Sequence, residues 1–173
     1  MKSIFFDEID NTQDFAINEF KKEPLLIVSK VQTSGRGTNQ NKWQNADQSL
    51  ATSLVFNKKI ISFTKTLIPL LAGYSYVSLV KNKNLKLKWP NDIIFKNDKV
   101  GGVLVEENNK LVCIGLGVNY FWENPSLPGA GAIYDEKQDD QKIFQDAEEW
   151  GKTILNYIKN CLLYTSPSPR DLS

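Results

Sequence analysis

Leu85-Lys86-Leu87-Lys88-Trp89-Pro90-Asn91-Asp92-Ile93-Ile94-Phe95, then Val100-Gly101-Gly102-Val103-Leu104-Val105-Glu106 and Leu111-Val112-Cys113-Ile114-Gly115-Leu116-Gly117-Val118, is the stretch that decides the fold. Its apolar runs are short, and the first alternates as a half-buried strand does. The turn residues Asn97-Asp98 and Asn108-Asn109 separate the later runs, so the whole reads as an antiparallel meander. Upstream, Leu67, Leu70, Leu71, Tyr74, Val77 and Val80 recur at helical spacing from Thr66 to Val80, with Pro69 tolerable in a first turn. Further back lie two buried strands, Leu25 to Val28 and Leu50 to Phe56, joined by a long polar, glycine-containing connection over 32–46. Ser3 to Ile9 reads as a strand, and Asn11 or Thr12 caps a helix carrying Phe15, Ala16 and Phe20. Downstream, a Pro- and Gly-rich loop over 123–132 precedes an amphipathic helix marked by Ile143, Ala147, Trp150, Ile154 and Ile158. The fold class is therefore α+β, a mixed and mainly antiparallel sheet packed with helices.

Composition narrows the chemistry. The chain has 173 residues, 41% hydrophobic and 24% charged, near the average for a soluble domain. A formal net charge of +1 argues against a protein that coats nucleic acid or an acidic membrane, so no DNA or membrane partner is expected. Histidine is absent, which removes His-based triads, His general bases and most catalytic zinc sites. Cys113 and Cys161 lie in apolar surroundings without C-x-x-C spacing and read as two buried thiols in a reducing cytosol. With no spanning apolar run and no leader-like start, a cytoplasmic location is expected. Residues 1–161 are expected to form one domain, and 162–173, which lack any helical or strand period, a non-native or unstructured tail.

Four segments carry possible chemistry. Thr33 to Trp43 combines two glycines, Arg36, Lys42 and an aromatic, a composition that suits a phosphate: glycine lets backbone N–H groups approach oxygens and Arg36 offers a planar fork. A solvated turn explains it equally well. Lys88-Trp89-Pro90-Asn91-Asp92 ends a strand with a cation and a carboxylate, so Asp92 could hold a magnesium ion bridging phosphates. The ordinary reading makes Asn91 and Asp92 a turn and Trp89 core. Lys99 stands seven positions beyond Asp92, across a hairpin that could return it to the same site, and Gly101-Gly102 marks either a bulge or a close ligand. Gly115 and Gly117 fall on one face of a strand that ends at Asn119; a small-residue strip of this kind can floor a flat ligand.

In this order, Asp10-Asn11-Thr12-Gln13, Gln32 to Gly37, Lys88 to Asp92, Lys99 to Glu106 and Gly115 to Asn119 resemble a biotin protein ligase over roughly residues 5–119. The resemblance implies a catalytic domain related to lipoate ligases. Such a domain converts biotin and ATP to biotinyl-AMP, then biotinylates a lysine of a biotin carboxyl carrier protein. Adenylation gives the carboxylate a good leaving group, and lysine, arginine and Mg2+ suffice to manage the phosphate charge without histidine. By resemblance, Asn11, Thr12, Gln13 and Gln32 lie at the biotin end. Arg36, Gly37, Thr38 and Lys99 surround the carboxylate and phosphate, Lys99 and Arg36 being the catalytic pair, while Gly102, Gly115 and Gly117 line the pocket. Trp43, Lys88 and Asn119 serve the nucleotide, and Asp92 the metal.

The chain departs from the family pattern at Asn11, where serine is common, and in a loop poorer in arginine than the usual G-R-G-R-x-G-R-x-W. It begins at the catalytic strand, so no N-terminal helix-turn-helix is expected, and the small C-terminal β domain is expected to be absent or cut short. The rival readings are a lipoate ligase-like acyltransferase, whose histidine-bearing loop this chain lacks; a non-catalytic binding module around Arg36 and Lys42; and an inactive fragment.

Overall fold

The computed structural model describes residues 1–38, 41–61, 65–80 and 84–164, with side chains as far as residue 160. Seven strands form one sheet: β1 (Lys2–Ile9), β2 (Leu25–Gln32), β3 (Gln48–Asn57), β4 (Leu85–Lys88), β5 (Asp92–Phe95), β6 (Asp98–Glu107) and β7 (Leu111–Phe121). Their spatial order is β1-β2-β3-β7-β6-β5-β4. The β1–β2 pair is parallel, and the other five pairs are antiparallel. The mixed, mainly antiparallel sheet expected from the sequence is therefore present, and its second half is the meander.

The helices fall on opposite faces. Helix α1 (Thr12–Glu19) is the crossover of the β1–β2 pair, as a parallel connection requires. It buries Ala16 with Ile27, Val55 and Cys113 on one face of the sheet. Helices α2 (Ile68–Leu79) and α3 (Asp140–Tyr164) cover the other face, where Leu26, Leu54, Ile114, Tyr76 and Trp150 are fully buried. Trp150 fills the α2–α3 junction, and its indole N–H donates to the Ala72 carbonyl at 3.0 Å. Trp150→Ala removes this volume and leaves a cavity, with an expected loss of about 3–5 kcal/mol. The urea midpoint of unfolding checks this, and a loss under about 1 kcal/mol would show that the two helices repack without the ring.

Several local expectations are corrected. Strand β2 runs on to Gln32, so the polar connection starts at Thr33. The β5–β6 turn is at Lys96-Asn97, where Lys96 takes a positive φ of 55°. On α2 the buried positions are Ile68, Ala72, Gly73, Ser75 and Tyr76, whereas Leu67 and Tyr74 are exposed. This helix is apolar almost all round, so its spacing could not single out the inward face. Trp89 is 77% exposed and forms no part of the core. Pro90 fixes it in a turn that leaves the sheet. Helix α3 continues through Leu162 to Tyr164, into the segment expected to be aperiodic, and residues 165–173 lie outside the described residues. Cys113 is buried and its thiol is pushed up to about 12 by desolvation; the Cys161 side chain lies outside the described residues.

Candidate functional site

Beyond the N-terminal turn of α1, the α1 face of the sheet carries small residues. Ser53 on β3 stands opposite Gly115 on β7, Ala51 opposite Gly117, and Gly102 on β6 also opposite Gly117. Laterally paired residues share a face, so these positions make one floor without side chains to fill it. Above it lies a cleft that opens to solvent at its mouth.

At one end of the cleft, α1 supplies polar groups. Asn11 is the N-cap: its Oδ1 accepts from the backbone N–H of Gln13 at 2.9 Å and of Asp14 at 3.1 Å, and its Nδ2 donates to the Ser34 carbonyl at 2.9 Å. Gln32 Oε1 accepts from the Thr12 backbone N–H at 2.7 Å and from the Thr12 hydroxyl at 2.9 Å, and that hydroxyl also pairs with Ser53 Oγ at 2.7 Å. Gln13 lies over Gly115, where an added Cβ would come within 2.9 Å of its amide. The cap expected at this helix is real, and it also serves to hold the wall of the cleft.

Residues 33–38 and 41–43 form the roof. Arg36 and Lys42 pair as an antiparallel bridge, Gly37 N–H donates to Asn41 O at 2.7 Å, and Trp43 N–H donates to Gly35 O at 2.9 Å. Gly37 and Thr38 border the cleft, and the Trp43 ring lies on Gly117, with Cζ2 only 2.8 Å from where a Cβ would be. Asn39 and Gln40 lie outside the described residues.

The cations on the cleft are already paired. Arg36 meets Asp14 through two bonds of 2.6 and 2.7 Å, and Glu106 at 3.1 and 3.3 Å. Its hydrogen bond holds the Asp14 carboxyl below the ordinary 3.8 and the guanidinium is itself shifted upward. A depressed carboxyl contributes stability above pH 3.8 and loses it as pH falls through the lower folded value, so the clamp is complete at neutral pH. Lys99 Nζ lies 2.6 Å from Asp92 Oδ1, so the hairpin does return the lysine to the carboxylate as the spacing implied. Its backbone is fixed by the segment after β7: Lys99 N–H donates to Gly129 O at 2.7 Å and Gly131 N–H to Lys99 O at 3.0 Å.

Two buried polar atoms among the described residues lack a protein partner: the Trp43 indole nitrogen and Asn119 Oδ1. The Asn119 amide nitrogen is engaged, donating to Gly131 O at 2.9 Å. Asn119 follows Gly117 by two on the same strand face, yet unlike Trp43 it does not line the cleft.

Most of the residues proposed from the sequence converge here. Asn11, Thr12, Gln13, Gln32, Arg36, Gly37, Thr38, Trp43, Lys99, Gly102, Gly115 and Gly117 all line the cleft. Lys88 does not: it ends β4 exposed, opposite Asp92 in register. Asp92, expected at a metal, is held by Lys99, and no three Asp, Glu, Cys or His side chains converge among the described residues. Ser53, Asn91 and Leu104 also line the cleft and were missed. Ser53 was legible only through its register against Gly115, and Asn91 through the two bonds that dock its turn on Val103, both 2.9 Å.

The sequence profile of the Biotin/lipoate A/B protein ligase family matches residues 5–119. The chain belongs to that family. Among curated relatives, biotin--protein ligase 2 of Arabidopsis thaliana is 26% identical over 132 residues, covering 68% of this chain and 40% of its own length. The biotin--[acetyl-CoA-carboxylase] ligase of Paracoccus denitrificans is 27% identical over 117 residues, covering 62% and 47%. This family member thus spans less than half the length of either relative. Among solved structures, the biotin protein ligase of Aquifex aeolicus in complex with biotin and ATP superposes with a TM-score of 0.80 at 25% identity, covering 92% of this chain and 72% of that one. The biotin acetyl coenzyme A carboxylase synthetase of Helicobacter pylori with bound biotinylated ATP gives 0.74 at 29%, covering 90% and 74%.

Proposed function

We propose that this chain activates biotin with ATP to biotinyl-5'-AMP and transfers the biotinyl group to a lysine of a biotin carboxyl carrier protein in the cytoplasm, with residues 1–161 as the catalytic domain. The observation that carries the reading is the Trp43 indole, which lies across Gly117 with its N–H unmet, on the same cleft that Lys99 borders. At the other end, the Thr12, Gln32 and Ser53 cluster offers hydroxyl and amide groups to a ureido ring, which favours biotin over the apolar ring of lipoate.

In the first step a biotin carboxylate oxygen attacks the α-phosphorus, a P–O bond forms, and pyrophosphate leaves. Lys99 neutralises charge that grows on the phosphate as the bond forms, exchanging its contact with Asp92 for one with the ligand. In the second step the carrier lysine amine attacks the acyl carbon and AMP departs. Magnesium would be held by Asp92 and would supply charge neutralisation at the ATP phosphates.

The test is biotin-dependent exchange of labelled pyrophosphate into ATP. Exchange with biotin and not with lipoate supports the reading. No exchange with either acid, from protein that retains its fold, would leave a non-catalytic member.

A further inference from the structure

We propose that Arg36 is a positioning residue and not a phosphate ligand: it straps the 33–38 arm to α1 and β6 where the two adjoin and so seats Trp43 on Gly117. Its fork is engaged by Asp14 in the first turn of α1, and its Nη2 reaches on to Glu106 near the end of β6. The same Nη2 reaches both carboxylates, and Gln13 Nε2 donates to the Leu104 carbonyl at 3.4 Å, so α1 and β6 adjoin at one end of the cleft and one side chain ties the arm to both. One positive and two negative charges leave the cluster at −1, which attracts no phosphate.

What the strap fixes is the aromatic. Arg36 is bridged to Lys42, and Gly35 O accepts from Trp43 N–H at 2.9 Å, so immobilising Arg36 immobilises the strand-like pair that carries the ring. Asn11 Nδ2 holds Ser34 O on the same side. The strap also explains how a roof with few arginines keeps its place: Thr38 and Asn41 bring no charge, and the bidentate pair supplies the rigidity that ligand contacts would otherwise give.

The two roles predict opposite signs. In the double variant Asp14→Asn/Glu106→Gln, a strap is lost, whereas a phosphate ligand would be set free. The strap predicts tryptic cleavage after Arg36 and Lys42 in unliganded protein about 5-fold faster than in the parent, and escape of preformed biotinyl-adenylate about 5- to 10-fold faster, with exchange at saturating substrate within about 2-fold. Arg36→Lys, which keeps the charge and loses the fork, is expected to show the same faster cleavage and escape, and covers the case in which the double variant fails to fold. Slower adenylate escape or a lower KM for ATP in the double variant overturns the proposal, as do unchanged cleavage and escape. The escape arm rests on the adenylate-forming reading. The tryptic arm uses no substrate, so a chain that made no adenylate but lost protection at Arg36 would overturn the proposed function alone.

Discussion

Lys99→Ala is expected to slow adenylate formation by about 10²–10³-fold, the loss typical when one group aimed at developing charge is removed. The fold is expected to survive. The Lys99–Asp92 pair is partly exposed, 41% and 25% for the two side chains, and exposed ion pairs contribute about 0–1 kcal/mol. The backbone bonds to Gly129 and Gly131 do not depend on the side chain. Pyrophosphate exchange measures the loss, with thermal unfolding as the control. Removal of Lys99 also bares the Asp92 carboxylate toward the phosphates, so Lys99→Ala/Asp92→Asn separates the missing cation from the exposed anion: a partial recovery is expected in the double variant. Exchange within about 3-fold of the parent in Lys99→Ala would take this side chain out of the chemistry.

Gly117→Val is expected to weaken nucleotide binding by at least about 100-fold with little loss of stability. Valine suits a strand, and its Cβ alone would fall 2.8–2.9 Å from the Trp43 ring, a side chain on the roof that can be pushed aside. Pushing it aside opens the slot in which the nucleotide is proposed to lie. Gly101→Ala makes the contrast. There the new Cβ falls 2.8 Å from the Gly117 carbonyl, which is central backbone and cannot yield without disturbing the β6–β7 ladder, so the cost is about 1–3 kcal/mol of stability. Calorimetric titration with ATP beside urea unfolding reads both. Parental affinity in Gly117→Val would place the ligand elsewhere in the cleft.

The meander was readable because its strands are short, closely spaced and punctuated by asparagine turns, all local signals. The burial of α2 was not, since Leu67 and Tyr74 look as apolar as Ile68 and Tyr76 and only contact with the sheet distinguishes them. Trp89 misled for a related reason: aromatic character predicts burial on average, and a proline-fixed turn projects this ring into solvent. At the site, residue types were legible and partners were not. Arg36 reads as a phosphate fork until Asp14, 22 positions away, and Glu106, 70 away, are folded onto it. Asp14 belongs to no motif, and Glu106 only ends the Lys99 to Glu106 segment, with no role assigned to it. Ser53 depended on a long-range strand register, which no local pattern encodes.

The pairing of β3 with β7 has a kinetic consequence. Leu50 lies opposite Val118, 68 positions on (118 − 50), while the meander from β4 to β7 closes only short turns. Contacts so distant in sequence slow their own formation far more than they reduce final stability. The ligand cleft straddles this seam, with Thr12, Gln32 and Ser53 contributed by the N-terminal half and Lys99, Gly102, Gly115 and Gly117 by the meander. Neither half alone is a receptor. Substrate therefore selects chains whose seam has already zipped, and its binding energy acts as a clasp: it retards separation of the two halves and leaves the earlier assembly of the meander untouched.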